Sequence, residues 1–139
     1  MKLAKTYEPN QYEPNIYAMW EKSGAFNPKG EGEPFCIVMP PPNANGNLHL
    51  GHALTFTLQD ILSRYYRMRG QNVAYIPGAD HAGFETWVVY EKVLEKEGKN
   101  RFDFSREQLY SQVWNFVEKQ RGNMELQLRA LGVSATWDN

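Results

Sequence analysis

The three histidines of the chain all fall in two short segments that are rich in glycine, proline and asparagine. His49 and His52 end the segment 40–52, Pro-Pro-Pro-Asn-Ala-Asn-Gly-Asn-Leu-His-Leu-Gly-His, and His81 lies in the segment 78–83, Gly-Ala-Asp-His-Ala-Gly. Imidazole donors at a helix start can bind an anion and stabilise charge that grows on phosphate oxygens during a reaction. The residue types therefore indicate phosphate chemistry, with a triphosphate as the natural ligand.

The spacing of His49 and His52 puts both rings on one side of a helix start, with unsatisfied backbone donors expected between them. Gly51 has no Cβ, so a flat base or a ribose could lie directly against the backbone there. Two other interpretations stay open. The pair could be a capping histidine beside a surface histidine, and a metal site is a weaker possibility because His-Glu-x-x-His is incomplete and no cysteine lies nearby. We predict no metal ligands.

The second segment and the start of the first supply groups that could contact a cationic group and a small aliphatic group. Asp80 could offer its carboxylate to a cation, although aspartate is also a favoured helix cap. Pro40 to Pro42 could only end a strand, but they also form a stiff wall without backbone donors that suits a small aliphatic group. Asn43 could hold a polar end beside that wall.

Two predicted strands place these segments at one edge of a sheet. The run Phe35 to Met39 predicts a buried, central strand, and Val73 to Ile76 predicts a second one. Between them a helix, labelled α2, begins near Leu50 and ends near Gly70. Its apolar residues at helical spacing are called here the α2 stripe: Leu50, Leu54, Leu58, Ile61, Leu62 and Tyr65. Strand, helix and strand form a parallel unit, so the fold class is α/β.

The flanking regions are predicted to be helical. Residues 1–33 form an N-terminal extension with a helix from about Pro14 to Ser23, and two helices follow the second strand, at about 84–97 and 106–131. Ser105 and Gln108 fit a capping box at the start of the last helix. The arginines of the stretch 64–69 are expected to form a solvated face around buried tyrosines.

Composition excludes several classes of protein. The 139 residues suffice for about one domain, and 15 basic against 16 acidic residues lack the basic excess of a nucleic-acid coat or an anionic-membrane binder. The single cysteine, Cys36, excludes an internal disulfide framework. Because no run is long and apolar enough to span a bilayer or to form a signal peptide, we expect a cytoplasmic protein with no membrane partner.

Taken together, the motifs resemble the amino-terminal part of the catalytic domain of the valyl-tRNA synthetase family, from about Tyr12 to Asn139. The resemblance is carried by the segments 41–43, 57–60 and 67–70, by His-Leu-Gly-His at 49–52, and by Pro-Gly-Ala-Asp-His-Ala-Gly at 77–83. His-x-Gly-His is shared by all class I synthetases and by small adenylyltransferases, whereas Asp-His-Ala-Gly favours the valine family. Residues 84–87 depart from the family pattern.

The resemblance implies that residues 34–139 form the first half of a Rossmann-like catalytic domain of a valine–tRNA ligase. ATP, with Mg²⁺, and valine would give valyl-adenylate, which is passed to tRNA(Val). His49, Gly51 and His52 would bind ATP, with both histidines catalytic, whereas Pro40, Pro41, Asn43 and Asp80 would bind valine. The family's Lys-Met-Ser-Lys-Ser signature is absent, so we expect an N-terminal fragment whose partner is the missing C-terminal half. A noncatalytic ATP-binding half and a small adenylyltransferase stay open as alternatives.

Overall fold

The computed structural model describes residues 5–81 and 83–137 of the chain. Within that part, the order of elements is α1 (Pro9–Lys22), β1 (Pro34–Val38), α2 (Leu50–Met68), β2 (Asn72–Ile76), α3 (Gly83–Lys96), a 3-10 turn (Arg101–Asp103) and α4 (Arg106–Ala130). The predicted α/β class is confirmed. Ala82, the third residue of the Asp-His-Ala-Gly motif, lies outside the described residues.

The two strands pair in parallel, as the strand–helix–strand pattern predicts. Their register runs from Pro34 opposite Asn72 to Val38 opposite Ile76. The ladder continues one residue further, where the Met39 N–H donates to the Ile76 carbonyl at 2.9 Å. Because both strands run in the same direction, the segments that follow them leave the sheet at the same end, where the carboxyl ends of the strands lie.

The prediction that β1 is buried and central is wrong for this structure. Val38 is 69% exposed and the Cys36 thiol is free and exposed. The sheet of the described residues has only two strands, and the far edge of β2 is occupied by the segment 133–137, whose Thr136 N–H donates to the Tyr75 carbonyl at 2.7 Å. The outer edge of β1 therefore has no strand beside it in the part of the chain that is described.

Helix α2 is amphipathic, but its apolar stripe faces outward. Every residue of the α2 stripe is exposed, Leu50 most of all at 88%. The buried positions of the helix are Phe56, Asp60 and Ser63. The opposite face is turned inward, where polar groups of α2 bond to Ser134, and the α2 stripe is left uncovered by the described residues.

Two apolar clusters hold the helices against the sheet. The first joins both strands and α2 to the end of the chain, through Met39, Phe56, Tyr75, Leu128, Val133 and Ala135. The second packs α3 on α4 through Ala44, Tyr90, Leu94, Val113, Val117 and Met124. The Ser105–Gln108 capping box predicted at the start of α4 is confirmed, since the Gln108 N–H donates to Ser105 Oγ.

Helix α1 begins earlier than predicted. Pro9, rather than Pro14, occupies the first turn, and Pro14 lies inside the helix. The Tyr17 hydroxyl donates to the Val133 carbonyl at 2.7 Å and accepts from Trp137 Nε1 at 2.8 Å, which fastens α1 to the segment 133–137. The division of the chain at residues 33 and 34 stays a prediction. Among the described helices, none is long and apolar enough to cross a membrane.

The solvated face predicted for the arginines of 64–69 is wrong for Arg64 and Arg67, whereas Arg69 is exposed as expected. Arg67 donates to the Ser134 carbonyl and the Phe26 carbonyl, both at 2.9 Å, and Arg64 donates to Asp60 Oδ2 at 2.6 Å. Tyr65, expected to be buried, is exposed instead. Charged groups of α2 therefore bind the segment 133–137 to this helix.

Candidate functional site

The segments that follow β1 and β2 are joined by backbone hydrogen bonds. Asn43 and Asp80 form an isolated parallel bridge, in which the Asp80 N–H donates to the Pro42 carbonyl at 2.9 Å and the Ala44 N–H donates to the Asp80 carbonyl at 2.8 Å. Asn43 and Asp80, the two polar residues predicted to share a ligand, are thus held side by side. Ligands of parallel α/β sheets bind at this edge, outside the carboxyl ends of the strands.

A cavity of about 450 Å³ opens beside this bridge. Its lining includes four of the predicted site residues, Pro41, Asn43, His49 and His52, together with Pro42, Asn45, Asn47 and Leu48. The volume lies in the range of about 300–1,000 Å³ that is usual for small-molecule sites. A larger cavity of about 590 Å³, between α1 and the end of α4, contains none of the predicted site residues.

The two histidines cap the first turn of α2 reciprocally. His49 is the N-cap residue and its Nδ1 accepts the Gly51 N–H at 3.1 Å, whereas His52 Nδ1 accepts the His49 N–H at 3.2 Å. The ring centroids are 3.9 Å apart. The expectation of unsatisfied backbone donors between the rings is therefore wrong for these two amides, because the imidazoles themselves satisfy them.

The capping bonds decide which nitrogen of each ring can bind a ligand. A nitrogen that accepts a hydrogen bond carries no proton, so both neutral rings hold their proton on Nε2. His49 and His52 line the same cavity, and each has one N–H donor that the cap does not use. Capping and ligand binding are thus compatible functions of the same imidazole.

The capping position of the His49 ring requires a glycine at position 51, which the sequence alone did not indicate. A Cβ built on Gly51 would lie 2.9 Å from His49 Cε1 and 3.1 Å from His49 Nδ1. A side chain there would push the His49 ring away from its capping position. Gly51 does not line the cavity, and its predicted contact with adenosine stays a prediction.

Pro40, Asp80 and His81 are not among the residues that line the cavity. Pro40 and Asp80 are exposed, and Asp80 enters the site through its backbone bridge to Asn43. The His81 ring packs on α4, where it stacks on Trp114 at 5.1 Å between centroids. The structure therefore brings His49, His52, Asn43 and Pro41 into one cavity and leaves the third histidine outside its lining.

Three lining residues, Asn45, Asn47 and Leu48, were not singled out from the sequence. They connect the cavity to α4, since Asn47 Oδ1 accepts from Asn123 Nδ2 at 2.7 Å and the Leu48 N–H donates to Gln127 Oε1 at 2.8 Å. The asparagine-rich turn was visible in the sequence, but its partners lie more than 70 residues away. Among the described residues, no group of three or more His, Cys, Asp and Glu side chains could hold a metal ion.

The pH dependence of stability should reveal the environment of His52. Desolvation, and then the nearby His49 ring, lower the pKa of His52 below its ordinary value of 6.5. As the pH falls below that value, the unfolded chain binds the proton first, so His52 makes the free energy of unfolding decrease. Denaturant unfolding at about pH 7.5 and about pH 5.5 should therefore show a smaller acid-induced loss in His52→Gln than in the wild type.

His52→Gln is a suitable control because a glutamine at this capping position can still accept the His49 N–H without titrating. An NMR titration of the wild type gives the same information directly. A His52 midpoint at or above 6.5, or equal acid-induced losses in both proteins, would contradict the prediction.

Comparison with known families gives an independent result. The family described as tRNA synthetases class I (I, L, M and V) matches residues 15–139. The chain is 46% identical over 140 aligned positions to a valine–tRNA ligase of Rhizorhabdus wittichii, which covers all of this chain and 16% of the relative. It is 47% identical to that of Pseudothermotoga lettingae, over 99% of the chain, and 48% identical to that of Caulobacter vibrioides, over 97%. The chain spans about 16% of the length of such relatives.

The fold also has a counterpart among solved structures. The LeuRS of Agrobacterium radiobacter K84, solved as the ternary complex LeuRS-tRNA-LeuAMS, matches 95% of this chain with a TM-score of 0.73 and 21% sequence identity. The match covers 15% of that chain. At this identity the likeness shows the fold alone, which is the Rossmann-like α/β arrangement of parallel strands flanked by helices.

Proposed function

The chain belongs to the class I tRNA synthetases of the I, L, M and V group, and from that membership we propose that it carries the ATP site and part of the valine site of a valine–tRNA ligase. The observation that carries the proposal is the single cavity lined by Pro41, Asn43, His49 and His52 beside the Asn43–Asp80 bridge. Relatives that are 44–48% identical over nearly the whole chain, and that are named valine–tRNA ligases, support the choice of valine.

The proposed reaction joins valine to ATP and then to tRNA(Val). The valine carboxylate attacks the α-phosphorus of ATP, the bond to the β-phosphate oxygen breaks, and valyl-adenylate and pyrophosphate result. The Nε2–H groups of His49 and His52 donate to phosphate oxygens and stabilise the charge that grows there. Mg²⁺ would arrive bound to the ATP phosphates, which it commonly does in nucleotide sites.

The other side of the site would hold the amino acid. Asp80, fastened to Asn43 by the backbone bridge, would pair with the ammonium group of valine, and Asn43 would add a polar contact. Pro40 and Pro41 would contact the aliphatic side chain. No nucleophilic side chain is required, since the substrate carboxylate is the nucleophile and the protein contributes alignment and charge stabilisation.

A noncatalytic ATP-binding half is the second candidate, and the uncovered apolar surface favours it. The α2 stripe is exposed, and the outer edge of β1 has no strand beside it among the described residues. Apolar residues grouped on one helix face, like an unpaired strand edge, mark a surface that another polypeptide can cover. We propose that further synthetase polypeptide, of the kind the relatives contain beyond the matched 16%, covers it. The matched family is that of tRNA synthetases, so no observation favours a small adenylyltransferase.

Two measurements distinguish the candidates. Calorimetry measures ATP binding, and valine-dependent exchange of pyrophosphate into ATP measures adenylate formation. Exchange by this chain alone would eliminate the noncatalytic half, whereas binding without exchange, with exchange restored by the remaining polypeptide of a relative, would support it.

Cys36 is an exposed free thiol, which suits the reducing cytoplasm in which we expect this ligase to act.

Replacing Asp80 by Asn tests the amino-acid side of the site. A hydrogen bond to a charged group contributes about 1.5–3 kcal/mol, so valine affinity should fall by about ten- to a hundredfold while ATP affinity is unchanged. Titration with valine and with ATP measures both quantities. Glu95→Gln, which removes an exposed carboxylate from α3, is the matched control. Equal valine affinity in Asp80→Asn and the wild type would refute the role of Asp80.

A further inference from the structure

We propose that His81 is a positioning residue that holds Asp80 at the amine end of the site by fastening the segment after β2 to helix α4. The proposal rests on the function proposed for Asp80. Two contacts carry it: the His81 ring stacks on Trp114 at 5.1 Å with an interplanar angle of 27°, and His81 Nε2 lies 3.8 Å from Glu118 Oε1. Trp114 and Glu118 are both residues of α4.

Asp80 is restrained on both sides along the chain. On the strand side, its N–H and carbonyl are bonded to Pro42 and Ala44 across the bridge. On the helix side, the His81 carbonyl accepts from Thr86 Oγ1 at 2.9 Å, and Thr86 is buried. The His81 ring adds a restraint that neither backbone contact provides, because it reaches a third element.

Helix α4 is a fixed support for that ring. Val113 and Val117, which flank Trp114 along the helix, are buried in the second apolar cluster. Tyr110 extends the stack, since its ring lies 6.3 Å from that of Trp114. The His81 ring therefore packs on a prearranged aromatic surface, and Asp80 is held in place between that surface and the Asn43 bridge.

Stacking is the larger of the two contacts of His81. The imidazole and Glu118 are both partly exposed, and Glu118 also lies 3.6 Å from Arg121 Nη1, so the ion pair with a protonated His81 is screened and shared. The ring itself, rather than its charge, should therefore hold the segment. A phenylalanine at position 81 would keep the stack and lose the ion pair.

Amide hydrogen exchange of the chain tests the proposal without requiring catalysis. In His81→Ala, protection of the Asp80 and Ala44 amides should fall by about two- to tenfold, the range that one aromatic pair contributes. His81→Phe should restore it. The Met39 amide, bonded to Ile76 in the sheet, should be unchanged, whereas a general loss of structure would lower its protection too.

Valine titration completes the experiment. The valine affinity of His81→Ala should fall in parallel with Asp80 protection, return in His81→Phe, and leave ATP affinity unchanged. Phe84→Ala, which removes an exposed ring just beyond the same segment, is the matched control and should change neither quantity. Unchanged Asp80 protection in His81→Ala, or a loss that spreads to Met39, would overturn the positioning role. Unchanged valine affinity in Asp80→Asn would instead overturn the function proposed for the site.

Discussion

Replacing His49 by Asn is expected to weaken ATP binding by about ten- to a hundredfold, the effect of losing one hydrogen bond to a charged group. Asparagine is a favoured N-cap residue, and its Oδ1 can accept the Gly51 N–H in place of His49 Nδ1. The substitution therefore keeps the cap and removes only the Nε2–H donor. Calorimetry measures the ATP affinity, and denaturant unfolding should show a change within about 0.5 kcal/mol.

His49→Ala provides the contrast that separates the two functions of this ring. Alanine removes the donor and the cap together, so ATP affinity should fall as in His49→Asn, while stability decreases by about 1 kcal/mol. If His49→Asn binds ATP as the wild type does and only His49→Ala loses affinity, then His49 acts through the helix start rather than by contact with phosphate.

Replacing Asp60 by Ala is expected to lower the free energy of unfolding by about 1–3 kcal/mol, because it leaves buried donors without their acceptor. The carboxylate of Asp60 is buried and accepts from Arg64 Nε, from the Ser134 N–H at 2.7 Å and from the Ser134 hydroxyl. Burial lowers the pKa of the neighbouring Arg67, and the charge of Asp60 opposes that shift. Without Asp60, the Ser134 amide loses its hydrogen-bond acceptor. The guanidinium groups of Arg64 and Arg67 lose the negative charge of that carboxylate.

The loss should appear in denaturant unfolding and in the attachment of the segment 133–137. Because the Thr136 N–H bonds to the Tyr75 carbonyl, its hydrogen exchange should accelerate in Asp60→Ala. Glu118→Gln, which neutralises a more exposed carboxylate, is the control and should change stability by about 0.5 kcal/mol or less. A loss below about 1 kcal/mol in Asp60→Ala would contradict the account of this buried group.

Local signals in the sequence predicted the parallel strand–helix–strand unit and the meeting of its two following segments. Short β-branched runs bounded by proline and glycine gave β1 and β2, and apolar residues at helical spacing gave α2 and α4. The Ser105–Gln108 capping box was also readable, since both partners lie within one turn. The meeting of Pro41, Asn43, His49 and His52 in one cavity followed from one rule, that parallel strands present their carboxyl ends on the same side of a sheet.

Local sequence signals could not predict which face of α2 is buried. Hydrophobic spacing identified the α2 stripe but not what covers it, and in this structure the polar residues Asp60 and Ser63 are buried instead. Arg67 turns inward because its partners, Phe26 and Ser134, are distant in sequence. The position of His81 depended likewise on Trp114, more than 30 residues further along the chain. Partners at such separations leave no local pattern.

An NMR titration of the chain with ATP and Mg²⁺ tests most directly whether the ends of β1 and β2 form one nucleotide site. The predicted result is a saturable set of chemical-shift changes at the amides of Asn43, Asn45 and Leu48 and at the imidazoles of His49 and His52. Changes confined to the cavity between α1 and α4, or none at the two imidazoles at saturating ATP, would contradict it.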